Sequence, residues 1–430
     1  MFRKVLIANR GEIAVRIAAT LRELGVRSVA VYSDADHGAL HTRVCDEAVR
    51  IGPAEARASY LDIAAVVAAA RASGADAVHP GFGFLAENAG FAEAVEAAGL
   101  VFIGPTPAQI RAMGDKREAR RIAERAGVPI VPGAEGDDAG ALVAAAEAMG
   151  YPVIVKAALG GGGKGMRIAH DEASLREAIE GAQRVAASAF GDASVYIEKL
   201  IEYARHIEVQ VLGDGRGHAV HLHERECSLQ RRHQKVVEEA PSPSLTSELR
   251  VDITEAAVRL AEAVQYRGAG TIETLLAPDG SFYFLEMNTR LQVEHPVTEL
   301  ITGIDLVRAQ VVVAATGRID HEQFTIGRNG HAIEVRLYAE DAAQGFLPQT
   351  GVASRVRWPY GPFVRVDRGL EAGDEVGIHY DPMLAKVIAF GPTREAALER
   401  LVAALDDTRV HGVVTNLPFL KALLRDPAVA

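Results

Sequence analysis

The chain has 430 residues, a formal net charge of -11 and an ordinary mix of 24% charged and 49% hydrophobic residues. That length exceeds one hydrophobic core and implies several domains, and the acidic balance argues against general nucleic-acid binding while leaving room for a local basic pocket. Two cysteines, Cys45 and Cys227, give no disulfide framework and point to a reducing, cytoplasmic setting; no signal-peptide run opens the chain and no apolar run approaches the ~20 residues of a membrane span.

Val5 to Ala8 has the pattern of a buried strand, Asn9 to Glu12 makes a turn, and a helix to about Leu24 follows. Ser28 to Tyr32 is a second strand, and the alternation continues to Pro105. Such a βαβ series predicts a parallel sheet with helices on both faces. Its first turn lacks the GxGxxG fingerprint of a dinucleotide site. The Gly-punctuated loop His79–Asn88 falls at a strand end, where open α/β sheets carry ligands; a tight turn packed by its own aromatics fits the same residues equally well. Thr106 to Gly114 and Lys116 to about Ala126 read as helices, and the polar, Gly-rich stretch Glu135–Gly140 as a hinge.

Pro152 to Lys156 is a strand with Lys156 on the same side as Ile154, followed by the glycines 160–163, Lys164 and Gly165. Consecutive glycines free backbone N–H groups to wrap phosphate oxygens. The loop is not a Walker A motif, because a strand from Met166 rather than a helix follows it. Ser194 to Glu198 is a strand whose end could read an adenine edge, and in Arg205–Leu212 the residues His206, Glu208 and Gln210 share one face. Arg231–Lys235 is the densest basic run, and its place between apolar strands in an acidic chain suggests an anion pocket rather than a solvated face. A helix from Ser244 to Gln265, a strand Ala269–Leu275 and an Asp279-Gly280 hairpin turn then lead into Phe282–His295.

Period-2 alternation in that last stretch places Phe284, Glu286 and Asn288 on one side and Leu285 and Met287 on the other, with Arg290, Gln292 and Glu294 continuing at the same spacing. The hairpin sets Glu273 beside Glu286. Glu273, Glu286 and Asn288 form an oxygen-only set that suits Mg²⁺ or Mn²⁺. Lys116, Lys156, His206 and the glycine loop would neutralise phosphates, Arg290 would hold a small anion, and Glu294 would act on it as a base. A hard divalent ion between two carboxylates, ringed by lysines, suits phosphoryl transfer.

Five stretches carry a family resemblance: Val5–Ile13, His79–Asn88, the glycine run to Met166, Arg231–Pro241 and Phe284–Glu299. Together they resemble the biotin carboxylases, in order and over essentially the whole chain. The resemblance implies an α/β and α+β protein of three parts. These are an N-terminal Rossmann-like domain (residues 1–113), an ATP-grasp domain (114–316) with a mobile lid at about 131–201, and a C-terminal domain (331–430). It implies ATP-phosphate contacts by Lys116, Lys156, His206 and Gly161, Gly162 and Gly163. Glu198, Lys199 and Ile201 would hold adenine, with Leu275 packing on the ring, His233 near the ribose and phosphates, and Met166 also binding ATP. Glu273 and Glu286, with Asn288 alongside, would hold the metal. Arg290, Gln292 and Val293 would bind bicarbonate, Glu294 would deprotonate it, Lys235 would hold carboxyphosphate, and Arg336 would stabilise the biotin enolate.

The implied reaction takes ATP, bicarbonate and biotin to ADP, phosphate and carboxybiotin. Leu159, Phe82 and His223 depart from the commoner family residues without touching those roles. Tyr380–Lys386 looks more like the long acyl-CoA carboxylase α chains, yet no Ala-Met-Lys-Met biotinylation motif is present. The expected partners are therefore a biotin carboxyl carrier, on a longer chain or in trans, and a carboxyltransferase, within a homodimer or larger complex.

Overall fold

The structure is a computed structural model that describes residues 1–136, 138–157, 166–190, 195–232 and 234–429. Five parallel strands open the chain, Lys4–Ile7, Arg27–Ser33, Glu47–Gly52, Ala77–His79 and Val101–Phe102. Their spatial order is third, second, first, fourth, fifth. The apolar run of the first strand is explained by two covered faces. Val5 and Ile7 pack on Ile13, Ile17 and Leu21 of helix Gly11–Glu23, whereas Leu6 and Ala8 pack with Val29, Phe91 and Phe102 on the other side.

Strand order reverses between the first and fourth strands, so the loops that leave them meet at the crevice where such sheets bind ligands. The Asn9 amide ties them by donating to the carbonyls of Pro80 (2.8 Å) and Phe82 (2.6 Å). Gly81, at φ +63°, permits this approach, since a Cβ there would lie 2.8 Å from Asn9 Nδ2.

The centre of the molecule is an eight-stranded antiparallel sheet in the order Phe282–Asn288, Arg267–Leu276, Arg205–Asp214, Ala219–Arg231, Gln234–Ala240, His331–Tyr338, Met383–Gly391, Val364–Arg368. Helix Ser247–Ala263 closes one face through Ile253, Ala256, Ala257 and Leu260, packed with Ile207, Val209, Ile272, Phe284 and Met287. The sheet passes without a break from the middle of the chain into its C-terminal part, because Val237–Ala240 pairs with Ala332–Val335. Helix Arg394–Asp407 covers that end with Leu398, Leu401 and Leu405. A separate four-stranded sheet, in the order Gly133–Gly136, Val195–Lys199, Val153–Ala157, Arg167–Ala169, carries helices Ala139–Met149 and Glu172–Phe190. No helix among the described residues is long and apolar enough to cross a membrane.

The structure departs from the sequence pattern at three places. Alternation fails in Phe282–Asn288, because Glu273 faces Glu286 but Thr274 faces Phe284, leaving Leu285 in a β-bulge. The extra residue turns Phe284 into the core beside Met287, while Leu285 and Glu286 both face the cavity described below. The expected hinge is partly strand: Glu135 and Gly136 pair with Tyr196 and Val195. The neighbouring Gly133 serves close pairing, since a Cβ there would lie 2.7 Å from the Ile197 carbonyl. Strand-like spacing also stops at Asn288, and Glu294 is the N-cap of an unforeseen helix, His295–Thr302.

Candidate active site

A cavity of about 820 Å³ opens on the face of the central sheet opposite helix Ser247–Ala263, between that sheet, the four-stranded sheet and the N-terminal loops. Lys116, Lys156, Met166, Glu198, Lys199, Ile201, His206, Lys235, Glu273, Leu275, Glu286, Asn288, Arg290, Gln292, Val293 and Arg336 all line it. Gly161, Gly162, Gly163 and His233 lie outside the described residues.

Strand register builds its charged floor. Arg225 faces Glu208, Glu208 faces Glu273, and Glu273 faces Glu286. Like charges directly opposite on neighbouring strands repel, so such a row needs cations. Lys235 Nζ supplies one, at 2.5 Å from Glu208, 2.8 Å from Glu273 and 2.6 Å from Glu294. The Arg225 guanidinium, fully buried, donates to Glu208 at 2.6 Å and to Gln210 at 2.7 Å. His206 Nε2 lies 3.1 Å from Glu273.

These contacts set the protonation states. Burial alone would depress His206, but Glu273 and Glu208 outweigh it and hold the imidazole up to about 9, so it is cationic at neutral pH. Burial would raise Glu273, yet Lys235 and His206 carry it well below the usual carboxylate range. Burial and the facing Glu273 push the Glu286 carboxyl up, outweighing the pull of Lys116 and Lys235. A pair of carboxylates one strand apart, the outer one short of positive charge, fits a divalent cation with oxygen ligands. Asn288 turns its Oδ1 to Arg290 (3.0 Å) and its amide nitrogen to Glu273 (2.9 Å). Its oxygen would join the two glutamates only if the amide turned.

Glu294 forms the second centre. It is fully buried, accepts from Lys235 and from Arg336 Nη2 at 3.0 Å, and lies 4.0 Å from the Cys227 thiol. Burial and Glu208 raise its carboxyl, but Lys235, Arg336 and Arg225 prevail and keep it ionised. Arg336 also donates to Glu238 at 2.6 Å; burial nevertheless pushes that carboxyl up to about 7. Arg290 donates to Glu87 Oε2 at 2.8 Å, and Glu87 also accepts the Thr289 backbone N–H at 3.1 Å.

At the other end, Val131, Ile154, Met166, Ile201, Leu275 and Leu285 make an apolar slot. Glu198 is clasped by both Arg120 and Lys156, so Lys156 already holds a carboxylate. The Lys199 ammonium turns to the carbonyls of Gly150 (2.9 Å) and Tyr151 (2.8 Å).

Comparison with known proteins gives this geometry a family. Residues 1–110 match the family model "Biotin carboxylase, N-terminal domain", residues 115–322 "Carbamoyl-phosphate synthase L chain, ATP binding domain", and residues 334–430 "Biotin carboxylase C-terminal domain". Biotin carboxylase 2 of Bacillus subtilis is 52% identical over 98% of this chain and 95% of its own length. The chain belongs to the biotin carboxylase family. The biotin carboxylase domain of 2-oxoglutarate carboxylase from Hydrogenobacter thermophilus, a dimer solved with MgADP, ADP and bicarbonate, superposes with a TM-score of 0.93 at 44% identity. It covers 99% of this chain and 94% of that one. The α subunit of mitochondrial methylcrotonoyl-CoA carboxylase from Oryza sativa is 52% identical over 98% of this chain and 58% of its own length. The chain spans 58–66% of the carboxylase α chains it matches.

As a member of that family, the chain carries the fold of the ADP-forming biotin carboxylase ligases. Sequence reasoning missed Glu87, Arg225 and Glu238 as members of the site. Register could have found Arg225, which falls opposite Glu208. The sequence marks the loop His79–Asn88 but not Glu87 within it, because its partner Arg290 is 203 residues away.

Proposed function

We propose that this biotin carboxylase performs the first half-reaction of an acyl-CoA carboxylase and that the cavity's two charged centres divide the work. The phosphates of ATP lie against Lys116, Lys156, His206 and the glycines 161–163, with adenine in the apolar slot at Glu198–Ile201, Leu275 and Met166. Glu273 and Glu286 hold Mg²⁺ or Mn²⁺, which when bound neutralises phosphate charge. Arg290, Gln292 and Val293 bind bicarbonate beside Glu294.

Glu294 is kept ionised and is therefore a weak base by itself. The cations around it (Lys235, Arg290, Arg336) lower the cost of a second negative charge on bicarbonate, and the proton passes to Glu294. The freed oxygen attacks the γ-phosphorus, the bond to ADP breaks, and carboxyphosphate forms against Lys235. Its breakdown gives CO₂ and phosphate; the phosphate takes the N1 proton of biotin and N1 attacks CO₂, while Arg336 stabilises charge on the ureido oxygen. The observation that carries this reading is the contact of one ammonium, Lys235, with Glu208, Glu273 and Glu294 at 2.5–2.8 Å. It joins the metal pair to the base.

The same reading places the domain divisions at residues 1–113, 114–316 and 331–430, with residues 131–201 as a lid that closes on nucleotide. The partners are a biotin carboxyl carrier and a carboxyltransferase, the assembly is a homodimer or larger, and the compartment is cytoplasmic. The acyl-CoA is chosen by the carboxyltransferase. ADP release from Mg-ATP tests the reading and is expected to need both bicarbonate and biotin. Turnover that ignores biotin and requires another carboxylate would identify a different ATP-grasp ligase, and no turnover would point to a nucleotide-binding scaffold.

A further inference from the structure

Behind the bicarbonate segment lies a buried charge cluster that this reaction leaves without a role. Lys386 sits on strand Met383–Gly391 directly across from Arg336 and is fully buried. Its Nζ donates to the Val293 backbone carbonyl at 2.7 Å. The nearest carboxylates are farther, Glu12 Oε2 at 3.4 Å and Asp367 Oδ2 at 3.6 Å. The closest partner of a fully desolvated ammonium is thus a neutral carbonyl. If packing alone were required, an apolar side chain of similar size would avoid the desolvation cost.

The position of that carbonyl gives the cost a purpose. The Val293 C=O and the Glu294 N–H belong to one planar peptide unit. Fixing the carbonyl fixes the plane from which the Glu294 side chain departs, and Gln292 and Glu294 reach the site from either side of Val293. Glu12 opens helix Gly11–Glu23 of the N-terminal domain, Val293 precedes helix His295–Thr302, and Lys386 and Asp367 face each other on C-terminal strands. The contact therefore joins all three parts of the chain at one peptide.

We infer that Lys386 is a positioning residue for the bicarbonate site, holding the Val293–Glu294 peptide so that Gln292 and Glu294 face bicarbonate. This rests on the assignment of Arg290–Glu294 to bicarbonate. Lys386→Met alone would strand the carboxylates around it, so the test uses the double variant Glu12→Gln/Lys386→Met, which removes the ammonium together with its nearest carboxyl group. Steady-state ADP release is measured against bicarbonate and against ATP, with a thermal melt of the same protein.

Outer partners that orient a site's ligands typically contribute about 10- to 100-fold, so the bicarbonate KM should rise at least about tenfold while the ATP KM stays within about twofold. An unchanged bicarbonate KM, or an equal rise in both constants, overturns the inference. So does a double variant without a cooperative melt, which would make the lysine a requirement of the fold. Wild-type protein whose ADP release ignores bicarbonate would overturn the functional assignment as well.

Discussion

At the scale of single residues the site is governed by who neutralises whom. Glu294 is ionised because Lys235 and Arg336 touch it, and replacing it by Gln keeps the shape while removing the acceptor for a proton. Bicarbonate-dependent ADP release should fall by ~10²–10⁴, the usual worth of a positioned base. ATP affinity, measured by calorimetry, should be unchanged. His206 gives a pH signature in the nucleotide-free protein. Its folded-state value, about 9, lies above the ordinary histidine value. The stability it adds is therefore full below pH about 6.5 and is lost as pH rises through about 9. His206→Gln should flatten that part of the curve of Tm against pH, and a curve that keeps its alkaline fall would refute the assignment. Glu87 holds Arg290 at 2.8 Å. Glu87→Gln should raise the bicarbonate KM more than the ATP KM.

At the scale of elements, the decisive feature is the hairpin Arg267–Leu276/Phe282–Asn288 laid against Arg205–Asp214. Its register stacks Glu208, Glu273 and Glu286 in one row, and its bulge at Leu285 lets one strand send Phe284 to the core and two successive residues to the cavity. Much of this was legible in the sequence. Asp279-Gly280 announced the hairpin, and the carboxylate and amide of Glu286 and Asn288 stood out on an apolar strand.

The bulge was not legible, because one inserted residue leaves no local mark and shows only when both strands are paired. Nor was the end of alternation at Asn288, where tertiary packing of His295–Thr302 overrides spacing. Phe284 is fully buried among Ile207, Ile272 and Met287. Phe284→Ala should cost about 3–5 kcal/mol of stability, read by denaturant unfolding, and should lower activity by loosening the bulge.

At the scale of the molecule, the central sheet is continuous from Phe282–Asn288 to Val364–Arg368, so the middle and C-terminal parts share a single scaffold. The four-stranded sheet is separate from it, and it carries Lys156 and Glu198 at the cavity's rim. Hydrogen exchange should slow on addition of Mg-ATP in Val153–Ala157 and Val195–Lys199, while the central strands keep their protection. Uniform slowing across both sheets would contradict a lid. The parallel N-terminal sheet was plain from its βαβ pattern. The sheet shared by two domains was not, because Val237 and Val335 pair across nearly a hundred residues of intervening chain.

In the proposed mechanism the segment Arg290–Glu294 sets bicarbonate against the γ-phosphate of ATP. Turnover with bicarbonate labelled in all its oxygens tests it most directly, by mass analysis of the phosphate released in the presence of biotin. Attack by bicarbonate on the γ-phosphorus predicts one labelled oxygen in each phosphate. Phosphate carrying no label would mean that water or another group attacks, and would rule out carboxyphosphate as the intermediate.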